Sequence, residues 1–126
     1  MAKFKSTVPV YDITVNQGDD YSLQMIVSDG KNLPIDITGY TFACKVRETA
    51  ESKDTIAEAE CIIRDATKGV LDINFSSEVT GNIDTDGEYY AETNSYYYDV
   101  QQINTNGRKE RIMQGKFIVS PGISFH

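Results

Sequence analysis

A chain of 126 residues and 14.1 kDa, 40% hydrophobic and 25% charged, has the length of one ordinary domain with a real core, which excludes wholesale disorder. The formal charge of -7 and pI near 4.6 oppose a basic face that releases counterions from phosphates, so nucleic acid is not an expected partner. No apolar run is long enough to cross a bilayer, and the opening MAKFKSTVPVYD carries two lysines without an apolar segment behind them; neither membrane nor export signal is expected, and synthesis belongs in a cytoplasm.

Strand periodicity dominates the chain. Val10 to Asn16 alternates Tyr11, Ile13 and Val15; Gln17-Gly18-Asp19-Asp20 is a turn cluster; Tyr21, Leu23, Met25 and Val27 alternate next, which predicts two strands paired with each other. Ser28 to Asn32 is a second turn. Pro34 then biases Leu33 toward extended geometry, Asp36 and Thr38 can accept bonds from nearby backbone N–H groups, and Gly39 can end the bend in the left-handed region, leaving Ile37 to point inward as a plug. Asp-Ile-Thr-Gly thus reads as a corner feeding a strand with Phe42, Cys44 and Val46 on its buried parity.

The polar ETAESKDT after Arg47 predicts a surface loop or one helical turn. Ile56 to Arg64 resumes as a strand with Ala57, Ala59, Cys61 and Ile63 on one parity, and Asp65 to Gly69 connects it to Val70–Phe75, where Leu71, Ile73 and Phe75 face inward. Ser76-Ser77-Glu78-Val79 offers caps for a short helical turn. A strand is expected from about Ser95 to Ile103 with Tyr96, Tyr98 and Val100 on one parity and Tyr97 and Asp99 on the other. Asn104-Thr105-Asn106-Gly107 is a hairpin signal, and the last strand runs to Val119 with Met113, Phe117 and Val119 inward and Gly115 at a bulge or close contact. Seven strands without strand-helix alternation predict an all-β fold, an immunoglobulin-like antiparallel β-sandwich, with a small β-barrel as the alternative.

Between Glu78 and Asn106 stand six acids (Glu78, Asp84, Asp86, Glu88, Glu92, Asp99) and no Lys or Arg, whereas Arg108, Lys109, Arg111 and Lys116 follow at once. Two expectations compete: solvated edges of one sheet, or an acidic patch for a basic partner. Cys44 and Cys61 lie in strand patterns and read as buried free thiols rather than a disulfide or zinc site. The lone histidine is His126, and no phosphate loop, nucleophile elbow or dinucleotide fingerprint occurs, so neither an enzyme nor a cofactor is expected. Asp84, Asp86 and Glu88 resemble a fragment of a calcium loop but lack the downstream glutamate and flanking helices of an EF-hand, which makes them a weak cation candidate. Tyr89, Tyr90 and Tyr97 in the acid-rich stretch can instead supply contact area to a protein or a sugar, or fill the sheet's faces.

A resemblance to a known family rests on particular residues. Gln17-Gly18, Asp29-Gly30, Pro34-Ile-Asp-Ile-Thr-Gly-Tyr-Thr41 leading into Cys44-Lys-Val-Arg47, then Lys68-Gly-Val-Leu-Asp-Ile73, Tyr97-Tyr-Asp-Val100 and Gln114-Gly-Lys-Phe-Ile-Val-Ser-Pro121 are together similar to the small β-sandwich domains of bacteriophage tail and baseplate modules. The chain most resembles the N-terminal domain of baseplate upper proteins. The match spans roughly Tyr11 to Pro121, and the tyrosine-rich Glu88 to Asn94 departs from it as an insertion.

The chain divides into an N-terminal arm (1–9), a sandwich (10–121) that the resemblance covers, and a short tail (122–126). With so little chain after Pro121, a connector or adaptor is expected rather than host recognition by a separate tip. The implied protein is a non-enzymatic virion structural component contacting tail, baseplate or fibre proteins. It would be homo-oligomeric only inside the particle. The contacts are read from the residues and not from the resemblance: Lys3, Phe4 and Lys5 of the arm, and the Tyr89, Tyr90, Tyr97 surface. Capsid decoration and a carbohydrate-binding module are the alternatives.

Overall fold

The computed structural model describes residues 8–49, 51–85 and 93–122. Seven strands follow one another: β1 (Ile13–Asn16), β2 (Tyr21–Ile26), β3 (Thr41–Arg47), β4 (Thr55–Asp65), β5 (Val70–Phe75), β6 (Asn94–Ile103) and β7 (Lys109–Ser120), with a five-residue helix α1 (Ser77–Gly81) between β5 and β6. Their order is β1-β7-β6-β3-β4-β5-β2.

The long strand β4 belongs to two sheets. Its first part pairs with β3, Cys44 lying opposite Ala59, while its second pairs with β5, Cys61 lying opposite Ile73. The inner faces of the two sheets meet: Phe75 of β5 packs against Phe117 of β7 with ring centroids 4.9 Å apart and the rings tilted by 49°. The core is built from the predicted parities, with Ile13, Val15, Cys44, Val46, Leu71, Ile73, Val100, Phe117 and Val119 all buried. Each large side chain so buried contributes about 1.5–3 kcal/mol relative to exposure. The fold is an all-β sandwich of two sheets that share β4, and its continuous strand order brings it near a barrel.

The corner forms as its residues predict. Asp36 Oδ1 accepts from the Thr38 N–H at 2.9 Å and from the Thr38 hydroxyl at 2.5 Å, Gly39 sits at φ +83°, and Ile37 is fully buried. A correction concerns the first two strands, which do not pair with each other. β1 runs parallel to β7, and β2 antiparallel to β5.

The physical reason lies in the connecting turn, which crosses from one sheet to the other and is tied down by distant residues. Thr80 Oγ1 accepts from the Gly18 N–H at 3.1 Å and donates to the Asp19 carbonyl at 2.7 Å. Asp20 Oδ1 accepts from the Ser77 N–H at 2.6 Å, and Gln17 donates to the Ile83 carbonyl at 2.9 Å and accepts from Gly122 N–H at 3.0 Å. Both strands therefore become edges, at opposite ends of the strand order.

Candidate binding cleft

The outer face of β3, β6 and β7 carries a cleft of about 420 Å³, within the range of small-ligand sites. Alternation along β6 turns Tyr98 and Val100 into the core and Tyr97 and Asp99 outward. Register then sets their neighbours: Tyr97 lies between Arg47 and Lys116, and Asp99 between Lys45 and Gln114.

Arg111 reaches this face through an irregularity. Met113 is opposite Val100 and Arg111 opposite Gln101, so Ile112 is an extra residue in β7. Met113 is buried, and by strict alternation Arg111 would follow it inward. The bulge reverses the parity and turns Arg111 outward, 52% exposed. There its Nε stands 3.2 Å from Asp99 Oδ2, and its Nη1 donates to Gln114 Oε1 at 3.0 Å. Arg47 Nη1 approaches the other carboxylate oxygen, Asp99 Oδ1, at 3.3 Å. One carboxylate, 16% exposed, thus orients two guanidinium groups.

The segment before β1 forms the side wall. Tyr11 N–H donates to the Gln114 carbonyl at 2.9 Å, Gln114 N–H to the Pro9 carbonyl at 3.1 Å, and Lys116 N–H to Asp12 Oδ1 at 2.9 Å. This approach needs Gly115, because a Cβ there would come within 2.8 Å of the Tyr11 carbonyl carbon. The same carbonyl accepts the buried Tyr98 hydroxyl at 2.5 Å, and burial above all pushes that phenol well above its ordinary pKa. Val10, 70% exposed, stands at the rim.

Of the residues singled out in the sequence, Tyr97 lines this cleft, 39% exposed. Lys3, Phe4, Lys5, Tyr89, Tyr90, Asp86 and Glu88 lie outside the described residues. Asp84 lies within them, its backbone carbonyl accepting from the Tyr96 hydroxyl at 2.5 Å. Among the described residues no group of three or more His, Cys, Asp or Glu is placed to hold a metal. Both cysteines are free, Cys44 buried and Cys61 partly so.

Of the six acids in the base-free run, Asp99 does not stand as an open acidic site. The fold brings the base-free run and the basic run that follows it side by side, so Asp99 is held between Arg47 and Arg111. Sequence reasoning missed Arg47, Arg111, Gln114 and Lys116 as a group. The alternation of β6 could have marked Tyr97 and Asp99 as facing out together, but the bulge that places Arg111 has no sequence signature here.

No family model matches the chain and no curated protein matches it. Among solved structures, murine CRIg is similar over 87% of this chain and 91% of its own, at 12% identity and a TM-score of 0.38. A 2,6-sialyltransferase of Photobacterium sp. JT-ISH-224 is similar over 93% of this chain but only 18% of its own, at 9% identity and a TM-score of 0.29.

Proposed function

We propose that this chain is a non-enzymatic structural protein of a bacteriophage particle, an adaptor in the tail or baseplate that works through protein-protein contacts. The observation that carries this reading is one band of surface. Val10 and Tyr11, 70% and 48% exposed, stand just before the edge strand β1, beside a cleft walled by Tyr97 and paired charges. Large exposed side chains beside an edge strand favour association with another chain.

The tail assignment draws on the sequence resemblance. Its motifs occupy fold-bearing positions, among them the Asp36 to Gly39 corner and the Gly115 approach.

Cross-linking mass spectrometry on purified particles of the source phage tests the proposal. Cross-links from Lys3, Lys5 or Lys116 to tail-tube, baseplate or fibre proteins are the expected result. Cross-links to the major capsid protein instead would make it a decoration protein, and absence of the chain from particles would overturn the virion assignment altogether.

A further inference from the structure

We infer that the cleft on β3, β6 and β7 binds the carboxylates of an acidic, extended peptide segment of a neighbouring protein. The inference rests on the adaptor reading for the identity of the neighbour, and on the cleft alone for its chemistry.

Hydrogen-bonding capacity decides the ligand class. Both oxygens of Asp99 are engaged by guanidinium groups, and Asp12 Oδ1 is engaged by the Lys116 backbone. The nearest acceptors are therefore largely spent, whereas the donors are not. A guanidinium carries five N–H groups. The contacts to Asp99 and Gln114 occupy one nitrogen of Arg47 and two of Arg111. Among the described residues the Lys116 ammonium enters no ion pair, and it lines the same cleft. Among the described residues that line the cleft, three cations (Arg47, Arg111, Lys116) face two carboxylates (Asp12, Asp99), an excess of one positive charge on a chain of net charge -7.

That surplus is also preorganised. Asp99 and Gln114 hold Arg111 in place, so less side-chain freedom is lost when an anion arrives. Val10 and Tyr97 extend the lining beyond the charges. A free phosphate would leave these side chains uncovered, while a peptide would place a carboxylate on the guanidinium fork and its neighbouring side chains on the rim.

The test is fluorescence anisotropy on the whole isolated chain with a labelled Glu-Glu-Tyr-Glu-Glu peptide, its Gln-Gln-Tyr-Gln-Gln counterpart, and inorganic phosphate and sialyllactose as competitors. Saturable binding of the glutamate peptide that weakens with added salt, and no binding of the glutamine peptide, is expected. Arg111→Met and Arg47→Met should each weaken it about tenfold or more. Arg111→Lys, which keeps the charge without the fork, should retain part of the affinity. Arg64→Met, on the other sheet where Arg64 pairs with Asp72, should change it less than about twofold.

Equal affinity for the glutamine peptide, no binding of the glutamate peptide, or an affinity indifferent to both cleft arginine changes would overturn the inference. Displacement by phosphate or sialyllactose at lower concentration than by unlabelled glutamate peptide would overturn the choice of a peptide. Because binding is read on the isolated protein and particle membership by cross-linking, the two readings fail separately. A chain present in tails yet blind to the peptide sinks only the cleft assignment, and a peptide-binding chain absent from particles sinks only the adaptor.

Discussion

Gly115 shows how one residue shapes the cleft wall. It lies opposite Tyr98 in the β6–β7 ladder, and the Tyr11 carbonyl approaches so closely that any Cβ would meet it. Gly115→Ala must push the Pro9 to Asp12 segment away, loosening the bonds that Tyr11, Gln114 and Lys116 make there. A destabilisation of about 1–3 kcal/mol is expected from such overpacking, read as a lower urea midpoint with an unchanged slope. An unchanged midpoint would mean that this segment does not lie against β7 in solution. Thr80 is the counterpart at the other end of the sandwich, a fully buried hydroxyl joining α1 to the turn after β1. Its importance is invisible locally, since its partners are about sixty residues away.

At the scale of elements, the corner before β3 and the bulge in β7 contrast in how much the chain discloses. The corner is local chemistry: an aspartate accepting from a threonine two residues on, a glycine at positive φ, and one aliphatic side chain left to turn inward. Ile37 is fully buried, and its N–H donates to the Ala66 carbonyl at 2.8 Å, so the corner docks on the connection between β4 and β5. Ile37→Ala should cost about 2–5 kcal/mol in equilibrium unfolding; a loss well below about 1 kcal/mol would show that the corner is not anchored by this plug. The bulge, by contrast, is an offset between two strands, and no single strand encodes an offset. Alternation alone placed Met113, Phe117 and Val119 correctly but would have buried Arg111.

For the molecule as a whole, titration reports how the sandwich is closed. Burial pushes the Cys61 thiol up to about 11 and the Cys44 thiol further still, from 9.0 for an ordinary thiol. A raised folded pKa means that the associated stability is complete below the unfolded value and is lost as pH rises through the folded one. The urea midpoint should therefore hold up to about pH 9 and fall as pH rises toward about 11, with a shallower fall in Cys61→Ala. Identical slopes in the two proteins would show that Cys61 is solvated in the native state. On the acid side, bonds from Thr38 hold Asp36, and bonds from Gln24 and Arg64 hold Asp72, below the ordinary carboxylate value of 3.8. Their contributions are present above that value and are lost as pH falls beneath it.

Whatever is local or periodic in this protein is legible in the chain alone. The seven strands, their buried parities, the Asp36 to Gly39 corner, the capped turn at Ser76 and the Asn104 to Gly107 hairpin each arise from residues a few positions apart. Which strands become neighbours is settled by contacts between distant parts of the chain. Pairing of β1 with β7 and β2 with β5 depends on long-range bonds through Gln17, Thr80 and Asp20. The cleft belongs to that second class, because Arg47, Asp99 and Arg111 meet through register and one bulge across three strands. Register is a relation between segments, and its energy is gained only when distant parts of the chain have already met.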